Sequence, residues 1–177
     1  MRYEKSEKFD RKFLEENLMG PNCVKLLEEM IPHIALRPGM RVLDLGCGRG
    51  LTSIFLAREF GITVYATDLW IPATENRERF RAMGLENSVI PIHADANALP
   101  YAQDYFDAAV CVDAYLYFGA AEGYMDDCLA PLVKQGGGIA IAVPGVRTDL
   151  TALPPEMEGI VSAEDFMTFR SARWWTS

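Results

Sequence analysis

Histidine is scarce in this chain of 177 residues: only His33 and His93 occur. Cysteine is limited to Cys23, Cys47, Cys111 and Cys128, with no Cys-x-x-Cys spacing, so neither a structural zinc site nor a redox pair is expected. Free thiols in a reducing cytoplasm are the reading that remains. No apolar run approaches the roughly 20 residues that span a bilayer. The first residues, Met-Arg-Tyr-Glu-Lys-Ser-Glu-Lys, lack the apolar core of a signal peptide. A cytoplasmic protein with no membrane partner is therefore expected. Positive charge is also in deficit: 17 Lys and Arg stand against 25 Asp and Glu, for a net charge of −8. That balance disfavours unassisted binding to phosphate backbones, so no nucleic acid partner is expected. Neither an internal repeat nor a low-complexity tract divides the chain, and its length suits one domain.

What is present is concentrated in Val42-Leu43-Asp44-Leu45-Gly46-Cys47-Gly48-Arg49-Gly50. Val42, Leu43 and Leu45 suit a parallel strand buried on both faces. Gly46, Gly48 and Gly50 permit a sharp turn and a close approach of the backbone to a ligand. A helical pattern follows over Leu51–Phe60, with Gly61 as its cap. Asp44 puts a charge inside the strand, which needs a partner there. Strand, bare turn and helix N-terminus together make a site for a polar, partly anionic small molecule.

Further elements follow in alternation. Residues 9–31 are amphipathic, with a break at Met19-Gly20-Pro21, and Arg37-Pro38-Gly39-Met40 is a turn. Strands are predicted over about 41–46, 62–67, 88–93, 106–112 and 139–143, and helices over 72–83 and 121–133. Gly136-Gly137-Gly138 is predicted as a turn. Alternating strands and helices predict an α/β fold, a Rossmann-like doubly wound, mostly parallel sheet with helices on both faces. Asp68, Asp95 and Asp113 stand at or just past the ends of the second, third and fourth strands. In such a sheet ligands bind beyond the carboxyl ends, where the glycine turn also lies.

These residues reach a known family. Asp44 to Gly50 resembles the glycine motif of the class I S-adenosylmethionine-dependent methyltransferases. His93 to Tyr101 resembles that family's adenine-contacting segment, Phe106 to Ala114 its fourth strand, and Leu132 to Gly138 its turn before strand five. The resemblance covers about residues 35–145. It implies S-adenosyl-L-methionine as cofactor, S-adenosyl-L-homocysteine as product, no metal, and in-line methyl transfer. Carried over by position, Asp44, Gly46, Cys47 and Gly48 would surround the methionine part. Asp68 would take the ribose hydroxyls, Leu69 and Trp70 would flank the adenine, and Asp95 with the Ala96 N–H would contact its edge. The backbone at Val112 and Asp113 would close the methionine end. Trp70 could instead be core, and Tyr115 and Tyr117 could merely cover the sheet edge. Cys47 and Cys111 read as packing residues and His93 as structural. Asp113, Tyr115 and Tyr117 are the candidate catalytic residues, with His93 a further base candidate. A dinucleotide is the competing ligand, but the turn reads Gly-x-Gly-x-Gly rather than Gly-x-Gly-x-x-Gly.

The tract Asp113 to Gly119 looks most like bacterial small-molecule methyltransferases, and no Asn-Pro-Pro-Tyr-like tetrapeptide follows strand four. A small-molecule acceptor is therefore expected. The expected organisation is 1–34 as N-terminal helices forming part of a lid around Phe13, Leu18 and Met19, 35–145 as the cofactor-binding core, and 146–177 as a short C-terminal segment. Family members add a helix and an antiparallel strand pair after strand five, which this chain is expected to lack. A shortened form would leave strand five at an open edge, through which a homodimer could pair, and would allow the alternative of a cofactor-binding module without turnover. A short helix is predicted over 162–169, with Ser162 as cap and Glu164 and Asp165 in its first turn. The adjacent Trp174 and Trp175 are expected to be buried.

Overall fold

A computed structural model describes residues 3–166 and 168–175. Met1 and Arg2 of the polar start, Met167 of the predicted 162–169 helix, and Thr176-Ser177 lie outside the described residues, as does the side chain of Glu164. The chain divides into two compact units, Met1–Ala142 and Val143–Ser177.

The first unit holds five strands: β1 (Arg41–Leu45), β2 (Thr63–Asp68), β3 (Val89–His93), β4 (Phe106–Val112) and β5 (Val133–Ala142). They form one sheet in the order β3-β2-β1-β4-β5, with every pairing parallel. The α-helices are α1 (Arg11–Asn17), α2 (Cys23–Met30), α3 (Leu51–Phe60) and α4 (Ala73–Ala82). The walk from β1 to β2 to β3 runs one way and the step from β4 to β5 runs the other. Right-handed crossovers then put the two sets of connections on opposite faces. Alternation along the strands decides what each face buries. Val42, Val64, Ala66, Ala108 and Val110 share one core with Val24 and Leu27 of α2 and Ile54 and Phe55 of α3.

Local chemistry sets the helix ends. Asp10 caps α1 by accepting the Phe13 N–H at 2.7 Å, and Asn22 caps α2 through Lys25 at 3.1 Å. Helix α3 begins after Gly50 and ends at Gly61, both left-handed at φ +76° and +61°. A side chain at Gly50 would strike the buried Phe80 ring, 2.4 Å from its Cβ position.

Among the described residues no helix connects β3 to β4 on the second face. Rings cover it instead: Tyr65 of β2 meets Tyr101, Tyr105 and Phe106 edge-on at 6.0, 5.4 and 5.3 Å. Hydroxyls lock the cluster, with Tyr65 to Tyr105 at 2.5 Å and Tyr101 to Thr67 at 2.6 Å.

Two expectations are corrected. The predicted helix over 121–133 is a π turn at Met125–Leu129 followed by a 3-10 turn at Ala130–Leu132. Gly123 is left-handed at φ +77° and so cannot open the helix, while Pro131 lacks the N–H that would extend it. The glycine run is not a turn ahead of strand five but a bulge within it. Phe106 pairs with Val133 and Ala108 with Gly138, so Asp107 alone is opposed by residues 134–137. Gly136 takes φ +78°, and a Cβ on Gly137 would lie 2.7 Å from the Asp107 carbonyl.

The second unit has its own ties. Val146 bridges Ser171 in parallel, and Asp149 accepts the Ser171 N–H at 2.7 Å and its hydroxyl at 2.6 Å. Ser162 caps α5 (Ala163–Phe166) by accepting the Asp165 N–H at 3.0 Å, as its position in the sequence predicts. Trp174 and Trp175, in α6 (Ala172–Trp175), are half-buried and pack edge-on at 4.8 Å. Among the described residues there is no antiparallel strand pair. Nor is any helix long and apolar enough to cross a membrane.

Candidate functional site

The carboxyl ends of β1, β2 and β4 open on a cavity of about 360 Å³. That volume lies within the range of small-molecule sites, which runs from roughly 300 to 1,000 Å³. The glycine turn forms its floor. Gly46 and Gly48 are left-handed at φ +70° and +54°. A Cβ on Gly46 would fall 2.3 Å from that of Ala114, and one on Gly48 would enter the cavity 3.0 Å from the Met19 sulfur. Only glycine fits both places. Leu51 and Thr52, the first residues of α3, also line the space, so the positive end of that helix faces it.

Asp68, Asp95 and Asp113 all line this cavity. Asp68 is nearly buried and already committed: Oδ2 accepts the Gly48 N–H at 2.8 Å, and Oδ1 accepts Trp70 and Ile71 at 2.8 and 2.9 Å. A carboxylate offers about four lone-pair positions, so one stays open, on Oδ2. Asp95 uses Oδ1 for the Asn97 backbone and side chain at 2.8 and 3.0 Å, leaving Oδ2 open. The Ala96 carbonyl accepts the Tyr124 hydroxyl at 2.8 Å, which fixes this loop while its own N–H has no acceptor among the described residues.

Asp113 differs. It is left-handed at φ +61°, uncommon for a residue with a side chain. Its N–H donates to Ala142 at 2.7 Å, which holds the backbone. Neither carboxylate oxygen has a hydrogen-bond donor among the described residues, and burial pushes its pKa up. The close approach is to Gly20, whose Cβ position lies 2.7 Å from Oδ2. Among the described residues Arg49 is the one cation of the cavity wall; it gives Nη1 to the Glu16 carbonyl at 2.9 Å, while its buried Nε has no partner.

The remaining expectations divide. Gly46, Cys47, Gly48, Leu69, Trp70, Ala96 and Tyr117 line the cavity. Trp70 is 63% exposed and meets Tyr117 edge-on at 5.0 Å, so it stands in the wall and not in the core. Asp44 and Tyr115 do not line it. Asp44 lies beneath the floor, fully buried, accepting the Thr52 and Ser53 hydroxyls at 2.6 and 2.5 Å. Burial lifts its pKa to about 6, those hydroxyls oppose the rise, and Asp68 adds to it. Tyr115 is buried against Phe118 and Tyr124, and burial raises its phenol to about 12. The Cys47 thiol is buried, and burial with the nearby Asp44 and Asp68 charges pushes it well up, away from nucleophilic use. His93 bonds the Leu69 carbonyl at 2.7 Å and so anchors the wall. Of the predicted lid residues, Met19 lines the cavity while Phe13 and Leu18 pack on the core.

Sequence reasoning missed Asn17, Arg49, Thr52, Thr67, Asn97 and Phe118 as wall residues. It also missed Asn76, buried behind the floor with Nδ2 on the Gly48 carbonyl at 2.9 Å. Nothing in the local pattern around 76 marks it; only the fold brings α4 behind the turn. Among the described residues no cluster of three or more metal-ligating side chains occurs.

Comparison with known proteins gives a consistent picture. A methyltransferase-domain family matches residues 42–137. Methyltransferase GfsG of Streptomyces halstedii is 32% identical over 150 residues, 84% of this chain and 52% of that protein. The uncharacterized protein YjhP of Escherichia coli (strain K12) is 33% identical over 141 residues, 76% of this chain and 54% of that protein. The X-ray structure of YjhP aligns at TM-score 0.65 and 26% identity, over 98% of this chain and 66% of that one. Phosphoethanolamine N-methyltransferase 2 of Haemonchus contortus, solved with S-adenosyl-L-methionine, shares the fold at TM-score 0.76 and 20% identity, over 90% of this chain and 36% of that one. The chain spans about half the length of GfsG and YjhP.

Proposed function

The chain belongs to the class I S-adenosylmethionine-dependent methyltransferases, and from that premise we propose that it transfers a methyl group from S-adenosyl-L-methionine to a small-molecule acceptor. The observation that carries the reading is convergence. Carboxylates from three strand ends meet the glycine turn and an open Ala96 N–H around one cavity.

The residues fit the group they would hold. The open Oδ2 position of Asp68 suits one ribose hydroxyl, and Asp95 Oδ2 with the Ala96 N–H suits the amino and ring nitrogens of adenine. The bare backbone at Gly46 and Gly48, beside the α3 N-terminus, suits the methionine carboxylate. Asp44, out of reach below the floor, would act through Thr52 and on the local potential. When bound, the sulfonium supplies an electrophilic methyl and a neutral leaving group.

The chain's own part is alignment, exclusion of water and removal of a proton. Asp113 is the best-placed proton acceptor, since both its oxygens are uncommitted and partial burial makes it more basic than a solvated carboxylate. Tyr117 gives an apolar rim against which an acceptor ring or chain can lie, and Trp70, edge-on to it and tied through its backbone N–H to Asp68, keeps the place beside the adenine. No feature of the cavity favours a binding module without turnover.

Calorimetry with S-adenosyl-L-homocysteine tests the cofactor reading, and a labelled-methyl screen of metabolite pools tests turnover. Asp68→Ala should weaken product binding by about 1.5–3 kcal/mol, the scale of a hydrogen bond to a charged group. No heat with either nucleoside, or unchanged affinity in the variant, would remove the assignment.

A further inference from the structure

Behind the glycine turn a chain of polar contacts leads to the opposite rim of the cavity, and its meaning rests on the cofactor reading above. Gly48 is held on three sides: its N–H by Asp68, its carbonyl by Asn76 Nδ2 at 2.9 Å, and its Cα face by the Met19 sulfur. Asn76 is 1% exposed, so its amide has no water to fall back on. Its Oδ1 accepts Arg79 Nη1 at 2.9 Å. Arg79 then gives Nε to Asn17 Oδ1 at 3.2 Å, steadied by Nη2 on Glu75 at 3.2 Å. Asn17 closes the path by donating Nδ2 to the Phe13 carbonyl at 2.8 Å. From the turn itself, Arg49 reaches the neighbouring Glu16 carbonyl at 2.9 Å. The end of α1 is therefore tied twice to the floor, although none of its seven residues is buried.

We propose that Asn76 and Arg79 are positioning residues that couple occupancy of the glycine turn to the seating of Asn17–Pro21 over the acceptor end. Both ends of the Asn76 amide are committed, and leaving either unmet in a buried place costs more than moving its partner. A ligand that fixes the Gly48 carbonyl thereby fixes the amide. The planar guanidinium of Arg79 passes that orientation on, because its donors hold a rigid fork. Asn17, Met19, Gly20 and Pro21 all line the cavity, and Gly20 lies against Asp113. Seating this segment completes the wall around the uncommitted carboxylate. Coupling is reciprocal, so a seated segment also tightens cofactor retention.

Hydrogen exchange on the full chain, with and without S-adenosyl-L-homocysteine, tests this. In the wild type the product nucleoside should slow exchange of the amides in residues 11–22 by about tenfold, within the usual range of coupling between sites. Arg79→Ala should cut that slowing severalfold, leaving what the Arg49 tie carries, while product affinity falls by no more than about tenfold, as reciprocity requires. Asn17→Ala breaks the same link from the other end, keeps the test alive if Arg79→Ala folds poorly, and should reproduce its effect. The double variant should add nothing to either single one. Ligand-dependent slowing that survives undiminished in both single variants, a wild type whose exchange in 11–22 ignores the ligand, or fully additive effects would each overturn the coupling. A wild type that gives no heat with the nucleoside would instead overturn the cofactor reading and take the coupling with it.

Discussion

The two ends of the cavity are built by different rules. At the glycine-turn end, the groups offered to a ligand are backbone N–H groups and carboxylate oxygens already tied to their neighbours, as Asp68 is through Gly48, Trp70 and Ile71. At the other end the wall is side chain: Asp113 without a donor, exposed Tyr117, and the Asn17–Pro21 segment held by arginines. The first end needs a fixed shape for one cofactor. The second leaves polar and aromatic groups uncommitted, which is what an acceptor site requires.

The sharpest way to break the contrast is to disturb the backbone that both ends share. Gly50→Ala would force a Cβ into Phe80 at a left-handed φ. Overpacking and the backbone penalty together predict a loss of about 2–5 kcal/mol, read as a lower midpoint of denaturant unfolding. A variant as stable as the wild type would show that the turn is softer than its geometry implies.

Asp44 tests whether the floor is strained. Its folded pKa of about 6 lies above the usual 3.8, so the folded state holds its proton more tightly than the unfolded chain does. Stability from this group is therefore greatest below about pH 4, falls as pH rises toward 6, and is level above that. Asn at this position cannot ionise and still accepts from Thr52 and Ser53. Asp44→Asn should gain on the order of 2 kcal/mol at pH 7 and flatten the stability profile between pH 4 and 6. A profile identical to the wild type would mean that the carboxylate is not desolvated.

The smallest effect sharpens the division itself. Asp113→Asn keeps a residue that tolerates the left-handed backbone. It should change the affinity for S-adenosyl-L-homocysteine by less than about threefold, or ~0.7 kcal/mol. A tenfold loss in calorimetry would move Asp113 to the cofactor end and erase the boundary drawn above.

Legibility in the sequence follows the same line. Helix α3, the five strands and the glycine turn could be read because their signals are local: period, turn chemistry and strand-end carboxylates. The same holds for Asp68, Asp95 and Asp113, each a few residues from its strand. Asn76, Arg79 and Asn17 could not be read, because they meet across the helix order of the fold and each is an ordinary polar residue where it stands. The 121–133 segment misled because its apolar spacing suits a helix while Gly123 and Pro131 forbid one. The bulge at 134–137 misled because glycines signal a bend without saying whether pairing resumes on the same neighbour.

Gly46 and Ala114 divide between them the space of a single methyl group, 2.3 Å being the gap a second one would have to occupy. Drift at either position is thus tethered to the other, and a bulkier residue at 114 would unseat the turn rather than reshape the acceptor end. An engineer seeking a new acceptor would do better to leave this pair untouched and vary Tyr117 and Phe118, which line the cavity and have no part in the turn.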